Sequence, residues 1–359
     1  MSHNITVEGG TSVRLPTAGK YCDRDIVITA TGGGGSGGDG AEIARSIVER
    51  TITEYIDTDI TAVGEYAFNR CTKMTSVSIP SATSIGDYAF GSCGSLKSVN
   101  IPSVTSIGTF AFNSCSFLST IAGASVTSLG NYAFNSCVEL NSVDFPNLTS
   151  VGASAFQSCI SLTSFDGEKV TSVGNYGFTG CSELANINLP LATSIGQYAF
   201  NGCAASHISL PSLKSMSSGA FRGSKFVSVD LPNVTNIANN AFRAQGYIQR
   251  LVLPKVASTA SEAVRNCNAL TYVDLPVCTS FGTYTFDDCD NLETLILRTT
   301  SKVCSMSNVN VLALTKIANG EGYIYVPSSM VDSYKSATNW STYANQIRAI
   351  EDYPEITGG

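Results

Sequence analysis

Apolar and polar residues follow a pattern along most of this chain that returns about every 22 residues. The stretch VTSIGTFAFNSCSFLSTI, residues 104–121, has near copies at residues 82–99 and 126–143. With the Phe of the AF pair as anchor, the pattern occurs at Phe68, Phe90, Phe112, Phe134, Phe156, Phe178, Phe200, Phe221, Phe242, Val264 and Phe286. These eleven units, spaced by 22 or 21 residues, predict a solenoid in which each unit forms one coil and stacks on the next.

Each unit also contains a segment of the form S-V-x-I, which has the alternation of a half-buried β-strand. A proline follows, as at Pro102 and Pro146. Because proline cannot donate a backbone hydrogen bond, it is expected just beyond the strand end. Gly86 and Gly108 then suit a tight turn with relaxed backbone dihedrals.

The repeated motif, SIGxYAFxxCxxLxSVxIP, resembles the BspA-type, or Treponema pallidum-type, leucine-rich repeats over about residues 60–298. The resemblance implies a curved right-handed coil with a parallel sheet on its concave face, and a role on cell surfaces in adhesion or host binding. The expected fold class is therefore an α/β-type, mostly β solenoid of about eleven repeats, with a small N-terminal β module. The units are one residue shorter than the common repeat of that family.

Composition changes along the chain predict five segments. We expect a small β attachment module at 1–31, a Gly-rich linker at 32–40, an N-terminal cap at 41–59, the solenoid at 60–298, and a C-terminal cap at 299–359.

In the first segment, strands are expected around Ile5 and Val7, Val13 and Leu15, and Ile26 and Ile28. The string SVRLPTAGKYCDRDIVITA resembles a short module at the N-termini of phage and prophage structural proteins of gut Firmicutes. That resemblance implies attachment to other virion proteins through residues 1–31. A plain β extension is the alternative.

In the last segment, Tyr323 to Val326 are expected to form a strand, and the spacing of Met330, Val331 and Tyr334, then Trp340, Tyr343 and Ile347, predicts helices. Trp340 is interpreted as part of the cap core.

Nine of the twelve cysteines stand three residues after an anchor and form one column. They are Cys71, Cys93, Cys115, Cys137, Cys159, Cys181, Cys203, Cys267 and Cys289. Ser224 and Gln245 replace cysteine in two coils, which a packing position tolerates and a strict pairing scheme does not. We therefore expect free, buried thiols. Cys22, Cys278 and Cys304 lie off the column, and the sequence assigns them no role.

Catalytic, metal and cofactor motifs are missing from the sequence. The only histidines are His3 and His207, there is no C-x-x-C spacing, and the Gly-rich stretch at 31–38 precedes no strand-turn-helix pattern. We expect a protein that is not an enzyme and uses no cofactor or metal.

Charge and hydropathy limit the classes of partner that the sequence favours. The formal charge is −7 and no cluster of Lys or Arg occurs, so neither nucleic acid nor an anionic membrane surface is favoured. Neither a signal peptide nor an apolar stretch of membrane-spanning length is visible, so membrane insertion is not expected. The leading hypothesis is a recognition or host-attachment component of a phage virion that contacts a protein or glycan on a bacterial surface. A bacterial cell-surface adhesin, a cytoplasmic location and a ligand-free structural spacer are the alternatives.

A candidate binding patch follows from the outward strand positions. Early coils carry Ser, Thr, Asn and Asp there, whereas later coils add a ring, a cation and carboxylates. The predicted site residues are His207, Asp230, Arg250, Tyr272 and Asp274, with Tyr272 as the contact of largest area. A second column, Tyr66, Tyr88, Phe110, Tyr132, Tyr176, Tyr198 and Tyr284, is interpreted as a packed outer wall, with a carbohydrate-stacking face as the alternative.

Overall fold

The structure is a computed structural model that describes residues 52–357 and two short N-terminal strands. Those strands, Ile5–Thr6 and Ser12–Val13, pair antiparallel and lie at two of the three positions where strands are expected. The third predicted strand, the linker at 32–40, Cys22 and the first part of the predicted N-terminal cap lie outside the described residues. The chain forms two compact units, residues 1–187 and 188–359.

The mostly β, parallel solenoid predicted from the repeat is confirmed. Its main strand occurs once per coil at S-V-x, and the described main strands pair in parallel within four separate sheets, so that Ser76 lies opposite Ser98 and Arg250 opposite Tyr272. In the described part these strands are Glu54–Ile56, Ser76–Ser78, Ser98–Asn100, Thr120–Ala122, Ser142–Asp144, Ser164–Asp166, Asn186–Asn188, His207–Ser209, Ser228–Asp230, Arg250–Val252, Tyr272–Asp274, Thr294–Ile296, Tyr323–Val326 and Ile347–Ala349.

A second, shorter strand is formed by the S-I or S-V pair, or by the equivalent two residues, in most coils. These strands are Ala62–Val63, Ser84–Ile85, Ser106–Ile107, Ser128–Leu129, Ser150–Val151, Ser172–Val173, Ser194–Ile195, Asn236–Ile237, Ser258–Thr259, Ser280–Phe281 and Ser305–Met306. The coil containing Met216, which is one residue short, forms no such strand in the described chain. Paired main strands begin at Glu54, within the segment predicted as the N-terminal cap, and continue to Ala349, within the segment predicted as the C-terminal cap.

The anchor phenylalanines form the core of both units. Phe112, Phe134 and Phe156 are fully buried, and their rings stack nearly parallel with centroids 5.3 and 5.5 Å apart. In the second unit the Phe221 ring lies 5.9 Å from Phe200 and 5.6 Å from Phe242. Each buried ring contributes about 1.5–3 kcal/mol, which is less than the cost of ordering a 22-residue coil, so coils are stable only when stacked.

The turn segment around each anchor forms the outer wall and contains two left-handed residues per coil. Tyr66 has φ 58° and Arg70 has φ 64°, two residues either side of Phe68. The backbone N–H groups of all three donate to carbonyls of the next coil, at 2.7 to 2.9 Å. These inter-coil hydrogen bonds hold non-glycine residues in a conformation that would otherwise be unfavourable.

The expectation for Gly86 and Gly108 is wrong in its physical reason. Neither residue has a positive φ. A Cβ atom at Gly86 would lie 2.8 Å from the backbone nitrogen of Glu65, and one at Gly108 would lie 2.7 Å from that of Asp87. Glycine is required there because successive coils approach too closely for any side chain.

The C-terminal region contains the predicted strand Tyr323–Val326 and one α-helix, Val331–Ser336. The second predicted helix is instead the 3-10 helix Ser341–Gln346, and Ile347 begins the strand Ile347–Ala349. Further 3-10 helices are Val309–Leu312, Ser328–Met330, Ile350–Asp352 and Pro354–Thr357. Trp340 is fully buried, as predicted, and its ring packs edge-on against Tyr334.

Candidate functional site

The outward positions of the main strands in the first unit are mostly polar, with Ile56, which is 55% exposed, as an apolar exception. Ser76 Oγ donates to a carboxylate oxygen of Glu54 at 3.0 Å, and Asn100 Nδ2 donates to Ser78 Oγ at 3.0 Å. Ser142 and Asp144 are exposed, as the alternation predicts. These short side chains form hydrogen bonds with the neighbouring coil, so few of their polar groups remain available to a ligand.

His207 and Asp230 lie on the first pair of strands in the second unit. Strand His207–Ser209 pairs with Ser228–Asp230, and a hydrogen bond of 2.8 Å joins His207 Nδ1 to Ser228 Oγ. Ser209 Oγ donates to Asp230 Oδ2 at 2.7 Å. Both predicted site residues are exposed and each is held in place by a serine of the neighbouring strand.

Arg250 and Tyr272 lie opposite each other on the next pair of strands. The guanidinium carbon of Arg250 is 3.6 Å from the centroid of the Tyr272 ring, a cation–π contact. Arg250 is exposed, and among the described residues it has no hydrogen-bond or ion-pair partner. The ring therefore positions the guanidinium while leaving its donors available.

Tyr272 itself is not exposed, which corrects the expectation that it supplies the largest contact area. Only 8% of its surface is accessible, because Tyr272 belongs to a small apolar cluster of buried residues. Ile350, Tyr353 and Ile356 of the C-terminal segment pack against this cluster. Its hydroxyl donates to the carbonyl oxygen of Ile356 at 3.2 Å.

Asp274 is also buried, at 8% exposure, and this too corrects the predicted exposed position. Arg298 Nη2 donates to Asp274 Oδ2 at 2.8 Å, while Oδ1 is buried and has no partner in the described part of the chain. The carboxylate is thus engaged with a cation of its own chain. The structure leaves His207, Asp230 and Arg250 on the surface, together with Val252, which is 45% exposed. We call these four residues the open strand face.

The cysteine column is a set of free, buried thiols, as predicted. The structure adds a role that packing alone does not require. Cys137 Sγ donates to the carbonyl oxygen of Phe112 in the preceding coil at 3.1 Å, and the same contact recurs along the column at 3.0 to 3.2 Å. Where cysteine is replaced, Ser224 Oγ and Gln245 Nε2 donate to the equivalent carbonyls. The column therefore selects a side chain that can donate a hydrogen bond.

Burial also makes the column thiols unreactive. It raises the pKa of Cys137 and of Cys181 to about 12, so both are protonated at neutral pH. A buried, protonated thiol is a poor nucleophile, and the column offers no catalytic group.

The aromatic column on the wall packs against itself. Phe110 stacks between Tyr88 and Tyr132, with ring centroids 4.6 and 4.5 Å away. Tyr66 and Tyr176 are 37% and 41% exposed. The rings present mainly their edges, which agrees with a packed wall, although part of each ring meets solvent.

An ion-pair network on the wall of the second unit was not anticipated from the sequence. Arg265 contacts Asp287 at 3.0 Å and Asp288 at 3.1 Å, and Glu262 joins it to Arg243. Burial raises the pKa of Asp287. The sequence did contain a signal for this network, because these charged residues occupy neighbouring positions in successive repeats. Such positions lie side by side when the coils stack.

Within residues 52–357, His, Cys, Asp and Glu side chains do not gather in groups of three or more that could hold a metal ion. The same part of the chain contains no helix of the length and apolar character needed to cross a membrane.

Comparison with solved structures places the fold among known leucine-rich repeat proteins. A leucine-rich repeat protein from Bacteroides ovatus aligns with a TM-score of 0.53 and 20% identity, covering 83% of this chain and 92% of that one. A leucine rich cell surface protein from Faecalibacterium prausnitzii aligns with a TM-score of 0.45 and 23% identity, over 85% and 81% of the two chains. The Treponema pallidum leucine-rich repeat protein gives a TM-score of 0.38 and 30% identity, over 43% and 71%.

Comparison with curated proteins finds no match. The family model of the BspA type leucine rich repeat region, however, matches in overlapping segments at 61–185, 105–225, 171–293 and 214–339. These segments cover more than half of the chain, and the coils described above supply the structural basis of the match. The chain therefore belongs to the family of BspA type leucine-rich repeat proteins.

Proposed function

We propose that the protein is a non-enzymatic recognition protein that binds a carboxylate-bearing ligand on a bacterial surface through its open strand face. Repeat proteins of this family are typically binding proteins, and the buried thiols of the cysteine column supply no nucleophile. The observation that carries the proposal is Arg250, an exposed guanidinium stacked on a buried ring. A planar, preorganised donor fork of this kind matches a carboxylate in bidentate geometry.

The residues around Arg250 favour a polar ligand of modest size. Val252 adds exposed apolar area on the same strand, and Asp230 and His207 add an acceptor and a ring nitrogen on strands of the same unit. Because the whole chain carries a charge of −7, attraction of an anionic ligand would come from local contacts rather than from long-range steering.

The ligand's carboxylate has two chemical sources on a bacterial surface, an acidic protein loop or an acidic sugar of a glycan. Binding of the full chain to intact bacterial cells would be measured before and after protease treatment and before and after periodate treatment. Loss after protease points to a protein ligand, and loss after periodate points to a glycan.

The test of the site compares two arginines of the same unit. We expect Arg250→Ala to weaken cell binding about 10-fold or more, since a charge-assisted hydrogen bond is lost, and Arg250→Lys to recover only part of it. Arg222→Ala removes an exposed arginine from the wall and should leave binding unchanged. Equal binding by the Arg250→Ala and parent proteins would refute the site, and no binding by the parent to any cells or cell-wall glycans would favour a structural spacer.

The particle or cell that carries the protein is a further part of the proposal. Attachment to a phage virion is supported only by the resemblance of residues 12–30, which, apart from a two-residue strand at its start, lies outside the described structure. Immunogold labelling of purified phage particles and of intact producing cells would separate a virion component from a bacterial adhesin.

A further inference from the structure

Two cysteines off the column meet where the last regular coil joins the C-terminal region. Cys278 precedes the strand Ser280–Phe281, and Cys304 precedes the strand Ser305–Met306. The two strands pair in parallel, with Ser280 opposite Ser305. Both thiols are fully buried.

Their contacts differ from those of the column thiols. Each of the two thiols shifts the pKa of the other, which places their side chains within interaction distance. Their carbonyl contacts are longer and local, at 3.5 Å from Cys278 Sγ to Ser280 O and 3.9 Å from Cys304 Sγ to Ser305 O. Column thiols such as Cys137 instead donate to a carbonyl of the preceding coil at 3.1 Å.

The two sulfurs are also electronically unequal. Interaction with Cys304 lowers the pKa of Cys278, and interaction with Cys278, together with burial, raises the pKa of Cys304. In the folded chain Cys278 is therefore the more acidic thiol of the pair.

Cys304 is an anchoring point of the C-terminal region. Its N–H donates to the hydroxyl oxygen of Tyr334 at 2.9 Å, and its carbonyl accepts a hydrogen bond of 2.5 Å from the indole nitrogen of Trp340. A covalent bond from Cys278 to Cys304 would tie this region to the last coil.

We propose that Cys278 and Cys304 are a redox-active pair that closes an intramolecular disulfide when the chain folds in the presence of a low-molecular-weight disulfide such as oxidised glutathione. The Cys278 thiolate attacks one glutathione sulfur and releases glutathione thiolate. The Cys304 thiolate then attacks the mixed disulfide at the Cys278 sulfur and releases the second glutathione. Two protein thiols are oxidised, one glutathione disulfide is reduced to two thiols, and the two protons pass to water or to the released thiolates.

Burial determines when this exchange takes place. Because both sulfurs have no accessible surface in the folded chain, the reagent reaches them before the C-terminal region closes or during its transient opening. Oxidation is therefore fast during refolding and slow in the folded, reduced protein.

The test uses the full chain with Cys22→Ser, which removes a cysteine outside the described residues. The protein is refolded with oxidised and reduced glutathione, denatured, treated with N-ethylmaleimide, digested and mapped by mass spectrometry. We expect one disulfide-linked peptide pair containing Cys278 and Cys304, with Cys267 and Cys289 alkylated. Full alkylation of Cys278 and Cys304, or linkage between column cysteines instead, would overturn the proposal.

A stability measurement supplies an independent readout. Closing a loop between residues 278 and 304 should raise the melting temperature of the oxidised protein over the reduced protein by on the order of 5–10 °C. The double variant Cys278→Ala with Cys304→Ala should lose this redox-dependent shift, since it cannot form the bridge. Alanine should be tolerated at position 278, because Ala82 occupies the equivalent position in its own coil. Cys267→Ser with Cys289→Ser is the matched control and should keep the shift. An identical melting temperature in both redox states of the Cys22→Ser protein would contradict the bridge.

Discussion

Truncation of one core ring tests the inside–outside assignment of the solenoid most directly. Phe134 is fully buried between Phe112 and Phe156, and the Phe145 ring lies 6.0 Å away at a tilt. Replacing it by alanine removes the burial of a whole ring and leaves a cavity, because neighbouring coils fixed by backbone hydrogen bonds cannot collapse into the space.

The expected magnitude follows from these contacts. Loss of a buried phenylalanine side chain costs about 1.5–3 kcal/mol in transfer free energy. The lost ring stacking and the cavity bring the total to about 3–5 kcal/mol for Phe134→Ala. The matched control is Phe117→Ala in the neighbouring coil, where the ring is 48% exposed and the same substitution should cost under about 1 kcal/mol.

Urea unfolding followed by far-UV circular dichroism measures both variants. The signal reports on the sheets of the whole chain, whereas the fluorescence of Trp340 reports on the second unit. We expect the transition midpoint to fall clearly for Phe134→Ala and to change little for Phe117→Ala. Ser142→Ala, at an exposed strand position, should cost under about 0.5 kcal/mol. Equal shifts for the two phenylalanine variants would refute the assignment of buried and exposed faces.

Three further outcomes are expected. Cys137→Ser should keep the donor to Phe112 O and change the free energy of unfolding little, whereas Cys137→Val should cost about 1–2 kcal/mol; urea midpoints that rank the two in the opposite order would contradict the donor role. The pKa of Cys137 and of Cys181 is raised in the folded state from 9.0 to about 12, so the unfolded chain loses these protons first and stability, full below pH 9, should fall as pH rises from 9 to 12; an unchanged urea midpoint across that range would exclude this linkage. Removal of residues 1–40 should leave a cooperative thermal transition, measured by calorimetry, and aggregation of the shortened chain would instead make those residues part of the solenoid cap.

Much of the fold could be predicted because each coil repeats one local rule. The Phe column fixes the period, and the alternation of S-V-x-I fixes which strand positions are buried. The strand at Tyr323–Val326 was predictable for a different reason, since its four residues are aromatic or β-branched and such residues favour strands. Gly86 was misjudged because its constraint is a backbone atom of another coil, which residue identity does not reveal.

The candidate site was predicted less well, because the burial of its residues depends on contacts with residues that are distant along the chain. Tyr272 and Ile356 are hydrogen-bonded although they stand 84 residues apart, and no periodicity links them. Arg250 was placed correctly because its position follows the repeat alone. The donor role of the cysteine column had a visible signal, since its two replacements, Ser224 and Gln245, both have side chains that donate hydrogen bonds.

In each compact unit the hydrogen bonds donated by the anchor residues of the wall run in one direction, from each coil to the next, so the two ends of the stack differ. The backbone N–H of an anchor residue such as Phe68 or Val264 points toward the next coil, and that of Phe286 donates to the carbonyl of Val311. A whole coil inserted or deleted between two others therefore leaves no backbone group without a partner, which allows the array to lengthen or shorten by duplication. The two ends are not interchangeable, because one end of the wall must be closed by donors and the other by acceptors.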